Sequence, residues 1–213
     1  MEKKEKTLEL ERLVFFSDAI VAIAITLLVF DVKVIPSKAG HLSLADIIHS
    51  WQKFAAFFLS FFIIAIFWKI HHEFYAYIAK INNALLWFNI GWVMFIVLLP
   101  FTSSLVSEYF FDPPAIFAYS LNIFLITIFQ NMIWDYASER PDFLKNNITD
   151  EILYNFRVAC NIAMLNGLIA CIISFFSPLI AFLIIFIRIP AFGLNSQFAR
   201  RKIPLLFKLK KKE

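Results

Sequence analysis

Glycine is scarce in this chain: 4 residues in 213, beside 27 Phe. That scarcity argues against helices packed backbone to backbone through small-xxx-small seams, and for bulky helices that face lipid. Cysteine is scarcer still, limited to Cys160 and Cys171. On one continuous helix the two would lie about 16 Å apart along the axis, whereas a disulfide needs Cα atoms within ~7 Å. They therefore read as small buried or lipid-facing thiols, and the redox compartment stays open. Charge is sparse too, at 17%. No Gly-rich phosphate loop and no Ser/His/Asp or Cys/His arrangement is present, so no catalytic residue and no enzyme is expected.

What is abundant is apolar surface. The chain is 61% hydrophobic with a mean hydropathy of +0.73, against the ~45–50% of soluble domains. Its net charge of +4 comes from basic residues flanking apolar runs, which points to topogenic charge and anionic lipid headgroups rather than nucleic acid. The start is basic and then apolar, as in a signal peptide. Asp18 interrupts the run, however, and no small-x-small cleavage site follows before Asp31-Val-Lys33. A retained first span is expected.

Six spans are predicted in one all-α membrane domain over 13–192, between a charged lead at 1–12 and a basic tail at 193–213. The first runs over 13–35 and is closed by Pro36; the second runs from Trp51 to Trp68, with Lys69, His71, His72 and Glu73 at its end. The third covers 84–106 and is broken by Pro100, and the fourth covers 115–136 after an acidic hairpin at Glu108, Asp112, Pro113 and Pro114. Thr149-Asp150-Glu151 can cap a helix leading into the fifth, 157–173, and Ser177-Pro178 separates a sixth ending near Pro190. With both termini in the cytoplasm of a cell-membrane protein, all of the 20 Lys and Arg except Lys33, Lys38 and Lys53 fall on that side. No internal repeat is visible, so any symmetry must come from association of copies.

The first span carries more polar residues than an inert anchor needs: Arg12, Ser17, Asp18, Thr26 and Asp31. Polar groups at membrane depth face protein or water, since leaving each unsatisfied costs several kcal/mol. Ile23, Thr26, Leu27 and Phe30 follow i, i+3, i+4, i+7 and so share one helix face, which Ala19 extends. Periodicity alone fits a packing face. It also fits a narrow pore wall with one hydroxyl, where apolar constrictions gate by dewetting and hydroxyl oxygens meet a partly dehydrated ion. Asp31 and Lys33 fit either a pore-mouth charge or an ordinary interfacial stop. His71-His72-Glu73 does not fit a metal site, because neighbours on a helix diverge by ~100° while His-Glu-x-x-His sites use i, i+4.

Arg12-x-x-x-Phe16-Ser17-Asp18, then Ala22-Ile23-x-x-Thr26-Leu27-Leu28 and Asp31, resembles the first helix of the transmembrane-protein-175 family of potassium channels. Trp68-x-x-His71, Asn89 and Pro100-Phe101-Thr102 continue the resemblance, while the last three spans match by hydropathy only. The resemblance implies a potassium-selective leak-type channel with potassium as permeant ion and no cofactor, built as a homotetramer with the first helix around the pore. It implies Ile23 as the main apolar constriction, Leu27 as a second and Thr26 as a selectivity residue. Phe30, at a position where the resemblance leads one to expect an aliphatic residue, falls at the outermost constriction. It also implies an interhelical polar network of Arg12, Ser17, Asp18, Trp68, His71 and Asn89. Independently, no Thr-Val-Gly-Tyr-Gly run exists, so a carbonyl-lined filter is not available. Asp18 needs a partner, with Arg12 or protonated His71 the candidates. The rivals are a proton-permeable channel or proton-coupled transporter using Asp18 and His71, and a non-conducting membrane scaffold.

Overall fold

A computed structural model describes residues 2–37, 40–110, 112–146 and 148–187, with side chains from Glu9 onward. The expected basic tail over 193–213, Arg188 and the end of span 6 near Pro190 lie outside the described residues. The elements are helices α1 (Glu2–Leu27), α2 (Leu44–His49), α3 (Trp51–Tyr77), α4 (Asn83–Glu108), α5 (Pro113–Ser138) and α6 (Asp150–Ser174). A shorter apolar helix, α7 (Pro178–Ile187), follows. Among the described residues, five segments are long and apolar enough to cross a membrane, the first of them Glu9–Asp31. At ten residues α7 is too short to cross alone, so the described residues show five crossings and not the expected sixth.

Several boundaries differ from expectation. α1 stops at Leu27 and tightens into a 3-10 turn, Leu28–Asp31, well before Pro36. At its other end the charged lead is helical back to Glu2 and continuous with the span. α3 runs on to Tyr77 rather than ending at Trp68, so His71 lies two turns inside it. Pro100 does not break α4. In the same stretch the Thr102 hydroxyl donates to the carbonyls of Leu98 (3.4 Å) and Leu99 (3.2 Å), while the bond that Pro100 itself removes is the one to the Ile96 carbonyl. The expected helix start before span 5 is present: Thr149 Oγ1 accepts from the Ile152 N–H and opens α6.

Packing follows the chain order. α4 lies against α3 and α5, α5 against α6, and α1 crosses α3 and α4. The core is large and aliphatic–aromatic: Ile63, Ile64 and Phe67 from α3, Trp92 and Ile96 from α4, and Trp134 from α5 are all buried. α6 comes unusually close to α5, where a Cβ on Gly167 would stand 3.0 Å from the Phe124 Cα. The fully buried residues of α6 are small, among them Cys160, Gly167, Ala170 and Cys171; Phe156 packs its ring on Trp134 at 4.8 Å, and Ile162, Leu165, Leu168, Ile169 and Ile172 are exposed. At the end of the bundle where α1 begins, the chain after α3 pairs with the α5–α6 connection. Ala79 N–H donates to Phe143 O (2.7 Å) and Lys145 N–H to Tyr77 O (2.9 Å). The Asn82 side chain ties this strap to the Tyr136 hydroxyl (2.7 Å).

Candidate functional site

α1 has two faces of opposite character. Leu10, Leu13, Ser17, Val21, Ala24 and Leu28 recur at spacings of three and four and are buried against α3 and α4. The other face holds the residues singled out in sequence. Ile23 is 58% exposed, Leu27 41% and Phe30 69%, and Thr26 and Ala19 are exposed beside them. The 3-10 turn matters here. Side chains at i and i+3 eclipse in such a turn, so Phe30 continues directly above Leu27, while Asp31 falls in line with buried Leu28. Asp31 therefore leaves the exposed stripe. The Thr26 hydroxyl donates to the Ile23 carbonyl at 2.8 Å; with its hydrogen committed inward, its oxygen faces outward as an acceptor.

The polar residues divide into two groups. Asn89 on α4 is the hub of the first and is fully buried. Its Nδ2 donates to Ser17 Oγ (2.8 Å), and Ser17 in turn donates to the Leu13 carbonyl (3.0 Å). Ser17 must therefore accept from the amide, which fixes the Asn89 orientation and aims its Oδ1 at α3. That oxygen receives His71 Nε2 (2.8 Å) and the Tyr75 hydroxyl (3.2 Å). His71 is thereby the Nε2–H tautomer, its ring stacked on Trp92 at 4.1 Å, and its buried Nδ1 has no partner among the described residues. The second group is a single link at the surface, Trp68 Nε1 donating to Asp18 Oδ1 (2.8 Å).

The structure thus brings Ser17, His71 and Asn89 together and joins Asp18 to Trp68. It does not hydrogen-bond Asp18 to Arg12 or to His71: Asp18 Oδ1 accepts from an indole, and His71 is turned to Asn89. Arg12 is exposed and stands apart, beside Glu9, Asn82 and Asn83 at an open cavity. Tyr75 was missed in the sequence, although it follows His71 at i+4 on the same helix face. A further buried cluster was missed as well. Ser60 of α3 bonds Ser103 of α4 (2.8 Å) and Tyr119 of α5 (2.9 Å). Isolated serines inside apolar runs were its only signal. Along α3 and α4 the two clusters are separated by Ile64, Phe67, Trp92 and Ile96, all 0% exposed, with the buried Gln130 amide on the Phe67 carbonyl (3.3 Å) at the same level. Among the described residues no group of three or more His, Cys, Asp or Glu is placed to hold a metal.

Fold and site define a polytopic, all-helical membrane protein whose first helix is pinned by buried hydrogen bonds and turns an apolar, hydroxyl-bearing stripe away from its own subunit. Residues 12–100 match the family model described as endosomal/lysosomal potassium channel TMEM175. A potassium channel of Chamaesiphon minutus is 35% identical over 137 residues, 61% of this chain and 66% of that one. The endosomal/lysosomal proton channel TMEM175 of Rattus norvegicus is 28% identical over 148 residues, 68% of this chain but only 29% of its own length. The crystal structure of a lysosomal potassium-selective channel TMEM175 homolog from Chamaesiphon minutus superposes with a TM-score of 0.76 at 26% identity, covering 88% of this chain and 98% of that one. The chain belongs to the transmembrane-protein-175 family. These relatives are ion channels, not enzymes.

Proposed function

We propose that the chain is a subunit of a potassium-selective, leak-type cation channel, four copies of which set α1 around a shared axis. The observation that carries this reading is the exposed stripe of Ile23, Thr26, Leu27 and Phe30 on a helix whose other face is fully engaged. Four such stripes make a pore wall of stacked apolar layers with one ring of hydroxyl oxygens. Ile23, Leu27 and Phe30 are the constrictions; they control wetting. Thr26 supplies outward oxygen acceptors between them and favours a cation that sheds part of its hydration. No cofactor enters this scheme, potassium being the permeant ion. The basic flanks put both termini in the cytoplasm of a cell membrane and set them against anionic headgroups. The Ser17–Asn89–His71 bonds and the Asp18–Trp68 link position the helix rather than carry ions, and Arg12 plays its part outside them.

Flux assays on protein reconstituted into liposomes test the proposal. A potassium gradient should drive passive flux that exceeds sodium flux, and Ile23→Asn, which hydrates the constriction, should raise conductance and blunt that preference. Absence of potassium flux from well-assembled protein would sink the channel reading and leave the scaffold.

A second reading, proton conduction, draws on the rat relative's name and on the surface position of Asp18. Its weak point is the step beyond His71: the ring's Nδ1 has no partner among the described residues to take a proton onward, and Ile64, Phe67, Trp92 and Ile96 stand between it and the Ser60 cluster. Protons would have to share the α1 path. Flux driven by pH and abolished by Asp18→Asn without loss of assembly would favour this reading.

A further inference from the structure

The cavity beside the start of α1 has no role in the scheme above. It is an open groove of about 490 Å³ between α1 and the α3–α4 connection, a size typical of sites for small ligands. Its chemistry is graded. Phe16, Ile81 and Leu86 make an apolar wall, and Glu9, Arg12 and Asn83 contribute polar groups. Arg12 forms no hydrogen bond or ion pair with a described residue. Asn82 is spent, accepting from the Leu85 N–H and donating to Tyr136, whereas exposed Asn83 is not. The groove also sits at a defined depth. Arg12 immediately precedes the apolar run Leu13-Val14-Phe15-Phe16 at the start of the first span, which is the level of lipid headgroups.

We infer that this groove binds one phosphatidylethanolamine molecule from the leaflet on the N-terminal side. The guanidinium of Arg12, a planar donor suited to phosphate oxygens, takes the phosphodiester with the Asn83 amide. Glu9, one turn earlier on the same face of α1, takes the ammonium head, and Phe16, Ile81 and Leu86 hold the upper acyl chain. A cation and an anion at i, i+3 complement the zwitterion in sign and order. A purely anionic headgroup would leave Glu9 opposed, and a choline head cannot donate a hydrogen bond to it. The bound lipid would bridge α1 to the α3–α4 connection. The inference stands on the groove and needs no assumption about conduction.

Thermal unfolding of the purified full-length protein in detergent tests it, with phosphatidylethanolamine, phosphatidylcholine or inorganic phosphate added. At about 100 times Kd, phosphatidylethanolamine should raise Tm by about 5 °C. Phosphatidylcholine should raise it less, and inorganic phosphate not at all. Arg12→Gln should abolish the shift and Arg12→Lys should retain part of it, while Glu9→Gln should make the two lipids equal. Leu86→Trp, which fills the groove and leaves Arg12 itself unsubstituted, should also abolish the shift and covers the case in which Arg12→Gln does not fold. Equal lipid shifts in wild type, Arg12→Gln and Leu86→Trp would overturn the inference. So would a shift reproduced by inorganic phosphate, which would make this a soluble-anion site.

Discussion

Asn89 shows how much a single side chain settles in an apolar bundle. Its amide reads α1 with one end and α3 with the other, so the rotation of α1 about its axis is fixed by hydrogen-bond direction as well as by packing. Leucine at this position would keep the volume and strand Ser17, His71 and Tyr75. Each buried group left unpaired costs about 1–3 kcal/mol, so Asn89→Leu should lower stability in a detergent unfolding assay by several times the effect of Asp18→Asn, whose amide oxygen still accepts from Trp68. Thr26 is a different case, because its hydroxyl bonds only within α1. Thr26→Val should leave folding nearly unchanged and cost the proposed pore one oxygen ligand per copy. At about 1 kcal/mol, the scale of one hydrogen bond, potassium preference over sodium should drop about fivefold in liposome flux.

Outside the membrane, the Ser43 backbone N–H, the Ser43 hydroxyl and the Ser37 N–H hold the Asp46 carboxyl at about 2, down from 3.8. The folded value lies below the unfolded one, so this knot stabilises fully above about pH 3.8 and fades as pH falls toward 2. Melting curves of wild type and Asp46→Asn should differ at pH 5 and converge near pH 2.

At the scale of the element, the apolar runs were legible because a membrane helix must satisfy its own backbone; the turns and ends were not. Span positions came from hydropathy. Pro100 read as a break, since nothing in the local sequence shows that α4 is held on both sides by α3 and α5. Trp68 read as an end because Lys69, His71, His72 and Glu73 look interfacial, yet α3 carries them on to Tyr77 where the α5–α6 connection straps it. The 3-10 turn at Leu28–Asp31 was also invisible, and it decides which of Phe30 and Asp31 joins the exposed stripe. Of the site, the residue types were legible and the pairings were not: Asp18, His71 and Arg12 suggested charge pairs, whereas the fold gives Asp18 and His71 neutral partners, Trp68 and Asn89. Close approach is likewise a tertiary matter. Gly167 meets the Phe124 backbone, so Gly167→Val must push α6 off α5 at about 1–3 kcal/mol, the usual cost of overpacking. Its unfolding midpoint should fall accordingly, and Leu168→Val, one residue on and exposed, should leave it unchanged.

The whole molecule leaves more apolar surface on α1 than a helix pinned so firmly on its other face needs, and the stripe carries a hydroxyl that lipid cannot satisfy with a stronger partner. A subunit with no visible repeat would line the proposed pore by association of copies, and closed rotational symmetry brings each residue near the axis next to its own copy. That gives a test independent of transport. In a background with Cys160 and Cys171 replaced by Ser, Ile23→Cys should form disulfide-linked dimers under mild oxidant, because neighbouring Cα atoms at a tight constriction approach the ~7 Å that a disulfide spans. Ile169→Cys, exposed on the outward face of α6, should stay monomeric under the same conditions. Both positions are apolar and membrane-embedded, so collisional crosslinking would affect them alike. Dimers from Ile169→Cys with none from Ile23→Cys would place α1 at the lipid boundary and remove the pore; the opposite pattern puts the stripe at the centre.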